Sequence, residues 1–143
     1  MRKKLLCAAL GLFATVVLFL GGCARESKAD AVTFKIICKS ENVYMLFYTM
    51  YLDGEYFCQG GFADTDDGPL TAESDLSMTF AKDYFEGRDI SRMSFDFSAF
   101  GADDVEEIGS TQPVAVAATY GDTYVIEFSG NTENGYVASL TGS

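Results

Sequence analysis

Residues 43–62, Val43-Tyr-Met-Leu-Phe-Tyr-Thr-Met-Tyr-Leu-Asp-Gly-Glu-Tyr-Phe-Cys-Gln-Gly-Gly-Phe62, decide the fold. Val43 to Leu52 is one long aromatic and aliphatic run, Glu55 to Phe62 is a second, and Asp53-Gly54 parts them. Asp-Gly between β-prone runs predicts a two-residue hairpin, because both turn residues must take φ > 0. Pairing Leu52 with Glu55 places Met45, Phe47, Thr49, Tyr51, Tyr56, Cys58 and Phe62 on one face. Leu46, Tyr48, Met50, Phe57 and Gln59 take the other. Both faces carry large apolar groups, so the hairpin is expected at the centre of a sheet.

The same grammar runs outward from this hairpin. Val32 to Cys38 alternates and reads as a strand, as do Leu76 to Phe80 and Met93 to Ser98, the last with Ser94, Asp96 and Ser98 outward. Lys82 to Ser91 reads as a loop holding one helical turn. Pro113–Tyr120 and Thr123–Phe128 flank Gly121-Asp122, which predicts a second hairpin setting Ala115, Ala117 and Thr119 against Phe128, Ile126 and Tyr124. Gly135 to Leu140 supplies a final strand. About eight short strands, with turn residues between them and no useful helical period, predict an all-β antiparallel two-sheet β-sandwich of immunoglobulin-like size. A small closed β-barrel is the alternative.

The first 23 residues set the address. Met1-Arg-Lys-Lys4 is a basic head, Leu5 to Leu20 is almost wholly apolar, and Leu20-Gly21-Gly22-Cys23 follows. A basic head, an apolar stretch and small residues make the layout of a secretory signal. Sixteen residues form a helix of about 24 Å, short of the roughly 30 Å hydrocarbon core, which favours a cleaved signal over a span. Leu20 to Cys23 resembles the lipobox of bacterial lipoproteins, with Gly21 where Ala or Ser is commoner. The resemblance covers residues 1–23 alone. It implies cleavage before Cys23, a diacylglycerol thioether on that Cys, and a location outside the cytoplasm at the cell membrane or envelope. The organisation expected is a signal over 1–22, a short polar tether over 23–30, and one β domain over 31–143.

Cleavage at that point leaves 121 of the 143 residues, enough for one domain with a genuine core. Arg2, Lys3 and Lys4 leave with the signal, so seven Lys and Arg face 21 acids, a formal charge of −14. Such a surface repels phosphate backbones and argues against nucleic acid as a partner. It suits a soluble head held above a membrane, or a cationic partner. The chain holds no His and no Trp. Absence of His removes Ser-His and Cys-His nucleophile pairs and the usual zinc ligand sets. The expectation is therefore a protein that is not an enzyme.

Four further features are candidates for chemistry. Cys7 leaves with the signal and Cys23 carries lipid, so Cys38 and Cys58 form the available pair for a disulfide in an exported domain. That bridge requires the chain to change sheets over Lys39 to Asn42. If it did not, the sulfurs would lie roughly 20 Å apart. Asp64-Thr-Asp-Asp-Gly68 resembles the opening of a calcium loop, with Asp64, Asp66 and Asp67 as oxygen ligands. It departs from an EF-hand, since Gly falls one place early and Asp75 stands at the twelfth position. Asp103 to Glu107 is a second acidic loop. Tyr44, Tyr48, Tyr51 and Tyr56, with Phe62, are many aromatics for one hairpin, and any left exposed would mark a peptide or glycan surface.

These residues lead to a lipid-anchored, non-catalytic binding or accessory domain at the bacterial envelope, acting on another protein. An extracellular carbohydrate- or calcium-dependent ligand-binding module is the alternative.

Overall fold

The computed structural model describes residues 28–103 and 106–143. The signal, Cys23 and the tether as far as Ser27 lie outside the described residues. After a 3₁₀ turn at Lys28–Asp30 come nine strands: β1 (Ala31–Cys38), β2 (Met45–Leu52), β3 (Glu55–Ala63), β4 (Leu76–Ala81), β5 (Met93–Phe100), β6 (Glu107–Ser110), β7 (Val114–Val116), β8 (Thr123–Asn131) and β9 (Gly135–Gly142). The expected turn after β4 is a 3₁₀ turn at Lys82–Phe85.

The strands form two open sheets, β4-β1-β8-β9 and β3-β2-β5-β6, with β7 also paired to β5, so the fold is a β-sandwich and not a closed barrel. Pairing is antiparallel except between β1 and β8, which run parallel with Phe34 beside Tyr124. The chain reaches that parallel arrangement by changing sheets four times, after β1, β3, β4 and β7. Alternating burial follows from the pleat. Val32, Phe34, Ile36 and Cys38 of β1 are buried, as are Met93, Phe95, Phe97 and Ala99 of β5, and the intervening residues are not.

Phe34 sits at the middle of the core. Its ring meets Phe95 edge-on at 4.8 Å across the sheets and stacks on Tyr124 at 5.7 Å within its own sheet. Each end of the sandwich is plugged by a loop residue that the strand pattern did not mark. Leu70 is buried and its N–H donates to the Val43 carbonyl at 2.7 Å. Phe85, from the 3₁₀ turn, is fully buried against Phe57, Phe80 and Tyr120 at the opposite end.

The Asp53-Gly54 turn forms as the residues predict, with φ of 51° and 81°, and Leu52 pairs with Glu55. Beyond Tyr51 and Tyr56 the register departs from expectation. Phe57 is an extra residue, a β-bulge, so Met50 faces Cys58 and Leu46 faces Phe62. Cys58 and Phe62 thereby move to the inner face with Leu46, Tyr48 and Met50, and Phe57 packs on Phe85. The downstream pairing sets Gly60 under the Tyr48 ring, where a Cβ would stand 2.5 Å from the Tyr48 hydroxyl oxygen. The hairpin is also not wholly central, because β2 is interior but β3 is an edge strand.

The second predicted hairpin does not form. β7 pairs with β5 in one sheet while β8 joins β1 in the other, so Gly121-Asp122 lies in a link between sheets. Tyr124 fixes that link. Its hydroxyl accepts from the Thr119 N–H at 2.9 Å and donates to the Ala117 carbonyl at 3.2 Å. A tyrosine near the start of a strand, bonded to backbone a few residues upstream, is the corner arrangement recurrent in β-sandwiches. Strand β6, which the pattern passes over, and β7 lie end to end along β5. Buried Thr111 bridges the gap between them. Its N–H donates to the Phe97 carbonyl at 2.9 Å, and its Oγ1 accepts from the Phe97 N–H at 3.1 Å.

Candidate functional site

Strand direction sorts the loops onto two ends. β1 starts at Ala31 and finishes at Cys38; β4 and β8 are placed against it by register, and β2, with β3 and β5 beside it, through the loop over 39–44. The entry end holds Ala31, the Asp53-Gly54 turn, the loop over 82–92 and the corner over 117–122. The far end holds the loops over 39–44, 64–75 and 132–134, and residues 101–103 and 106. Both acidic stretches of the sequence leave from this far end. Ala63 of β3 and Phe100 of β5 flank Met45 on either side, and each acidic loop begins directly after its strand.

The charge is therefore unevenly shared. Among the described residues the far-end loops carry nine carboxylates and a single cation, Lys39, whose Nζ is 2.7 Å from Glu127. The entry-end loops carry five carboxylates and three cations. There Arg92 pairs with Asp53 at 2.9 Å, Arg88 lies over the Phe57 ring, and Lys82 lies over the Tyr120 ring. A cation approaching the molecule meets its strongest attraction at the far end.

Two clefts open there, on either side of the loop over 39–44. The first, of about 570 Å³, is lined by Tyr44, Glu41, Ile108, Asn131 and Tyr136. Tyr136 stacks on Phe128 at 5.2 Å and lies across Gly109, where a Cβ would come 2.4 Å from its ring. Burial raises its phenol above the ordinary tyrosine value. The second cleft, of about 680 Å³, lies between residues 38–42 and 69–72 and is walled by Cys38, Ser40, Pro69, Leu70 and Ala72. Ser40 is buried, and its Oγ has no hydrogen-bond partner. Leaving a buried hydroxyl unpaired costs about 1–3 kcal/mol, and this one is enclosed behind the cleft wall.

The residues singled out in the sequence do not gather at one place. Tyr44 lines the first far-end cleft. Tyr48 faces the core, packed on Phe62 and Phe95, and burial raises its phenol. Tyr51 and Tyr56 are cross-strand neighbours on the outer face. The Tyr51 hydroxyl donates to Asp96 Oδ2 at 2.8 Å, a bond that raises its phenol, and Tyr56 is exposed. The bulge and the pleat split what the composition suggests is a single aromatic surface.

The Asp64–Gly68 loop is closed on itself. Asp64 Oδ1 accepts from the Asp66 N–H at 2.9 Å, and the Asp64 carbonyl accepts from the Asp67 N–H at 3.3 Å. This is the Asx turn that Asp favours in tight loops. Among the described residues no three carboxylates or thiols come together in a group that could hold a metal ion.

The disulfide is a correction. The chain does change sheets after Cys38, as a bridge requires, yet both cysteines are free thiols. Cys38 ends β1 at the far end, whereas Cys58 faces Met50, five residues along β2 from its far-end start. Five residues of strand are about 17 Å, well outside bridging reach. The Cys38 thiol is raised above its ordinary value by burial. Cys58 is raised by burial too, against a lowering hydrogen bond from Tyr84. Both are held as neutral thiols, which are poor nucleophiles.

Comparisons with protein-family models, with curated proteins and with solved structures returned no match. The fold and site define a two-sheet β-sandwich whose acidic loops and clefts share one end, and the functional reading follows from that arrangement.

Proposed function

We propose that this chain is a lipid-anchored, non-catalytic binding head at the bacterial cell envelope, and that its far end is the face that meets another protein. The lipobox-like Leu20-Gly21-Gly22-Cys23 motif supports the anchor. The observation that carries the binding face is the polarity of the sandwich. The described chain enters at Ala31 at one end, and the acidic loops with both clefts stand at the other. A head tethered through residues 23–30, a reach of about 15 Å, presents its entry end to the membrane and its far end outward.

Two measurements test the reading. Mass spectrometry of the mature protein should find a diacylglycerol adduct on Cys23, lost in Cys23→Ser. Affinity purification of the lipidated chain, tagged at Ser143, from its own cells in mild detergent should retain one envelope protein at near-equal stoichiometry. An unmodified Cys23, or no enriched protein, refutes the corresponding half.

A further inference from the structure

We propose that the far-end partner is recognised through a basic peptide segment, with an aliphatic or apolar side chain seated in the cleft between residues 38–42 and 69–72. The Lys or Arg heads of that segment lie on the surrounding carboxylates. This rests on the reading of the far end as the binding face and adds the chemistry of what docks there.

Two independent observations converge on it. The cleft is large enough for a side chain and its backbone, at about 680 Å³, and its walls include Cys38, Pro69, Leu70 and Ala72, which favour hydrocarbon. The two loops that form it, over 39–44 and 64–75, carry six carboxylates, and their one cation, Lys39, which also lines the cleft, is already paired to Glu127. Apolar walls and an anionic rim select a ligand that is aliphatic in the middle and cationic at its ends. Lys and Arg have that build, with a hydrocarbon stem behind a charged head. An acidic peptide is repelled by the rim, and an uncharged one lacks the attraction that concentrates it there.

The test uses the full chain in mild detergent and a fluorescein-labelled hexapeptide of alternating Lys and Leu, followed by anisotropy. Saturable binding that weakens as salt rises is expected, and no binding of the Glu-Leu counterpart. Ala72→Trp, an exposed position on the cleft wall, fills the cleft and should weaken binding about tenfold, equivalent to 1.4 kcal/mol. The triple variant Asp64→Asn, Asp66→Asn, Asp67→Asn should weaken it and flatten its salt dependence. Asp53→Asn, Asp83→Asn, Glu86→Gln makes the same charge change at the entry end and should not. Equal loss in the two triples means attraction by net charge alone and overturns the proposal. So does unaltered binding in Ala72→Trp, or 1,5-diaminopentane competing as well as unlabelled peptide. Melting temperatures show that each variant is folded. If an envelope protein is retained by the wild-type chain and equally by Ala72→Trp, this inference fails while the binding-head reading survives. If nothing is retained but the peptide binds at the cleft, the binding-head reading fails instead.

Discussion

Tyr124 holds more of the fold than its single ring suggests, because its hydroxyl satisfies both the Thr119 N–H and the Ala117 carbonyl at the crossing between sheets. Tyr124→Phe removes both bonds, so it should lower stability by about 1–3 kcal/mol in a urea titration. The ring contact with Phe34 is retained in that variant, which separates the hydrogen bonds from the packing. The two thiols give a second residue-scale outcome. In native protein Cys58, half-buried, should react slowly with iodoacetamide, and Cys38 only after unfolding. Burial raises both folded-state values above that of an unfolded thiol, about 8.5. The stabilisation they contribute is complete below that value and is lost as pH rises through the higher folded values, since the unfolded chain sheds its protons first. Stability should therefore decline above about pH 8.5, and Cys38→Ala/Cys58→Ala should flatten that decline.

At the scale of the element, the β2–β3 hairpin combines a rigid turn with an adjustable ladder. Gly54 sits at φ 81°, where a side chain is strained, so Gly54→Ala should cost about 1–2 kcal/mol. Asp53→Asn should be close to neutral, because Asn accepts the same left-handed backbone. Past the turn, the Phe57 bulge exchanges the faces of the rest of β3 and delivers Phe57 to the Phe85 plug. On β6 the governing contact is Tyr136 lying across Gly109. Gly109→Ala drives a methyl group into that ring and should destabilise the protein by about 1–3 kcal/mol, readable as a lower urea midpoint. The same variant displaces a wall of the Tyr44 cleft and leaves the Ser40 cleft untouched.

Over the whole molecule, the separation of the entry end from the far end turns a chain that is acidic throughout into one with direction. Both acidic loops follow strands that flank β2, so their meeting at one end is a consequence of the β3-β2-β5 order and not of any local signal. The excess of carboxylates there predicts an ionic-strength effect on stability as well as on binding. Raising salt should increase the melting temperature of the wild type, by screening like charges held together in the far-end loops. The gain should be smaller in the Asp64, Asp66, Asp67 triple Asn variant.

What the sequence by itself determined was local: strand alternation, the Asp53-Gly54 turn, one helical turn in the loop after β4, and thereby an all-β sandwich. Those features depend on neighbours two residues apart or on backbone angles that only a few residue types accept, so the residues declare them. Tertiary structure alone decided the rest. The Phe57 bulge lays that ring on Phe85, a residue outside the hairpin, and nothing within Glu55–Phe62 reports the contact. Gly121-Asp122 reads as a hairpin because turn chemistry is the same whether the chain folds back or crosses over, and the choice fell to the Tyr124 corner and the β1–β8 pairing. The cysteines stay apart because strand order put their sulfurs at different heights in the sandwich. The cleft with its unpartnered Ser40 is assembled from loops some 30 positions apart in the chain, and a separation of that kind becomes proximity only when the two sheets close on each other.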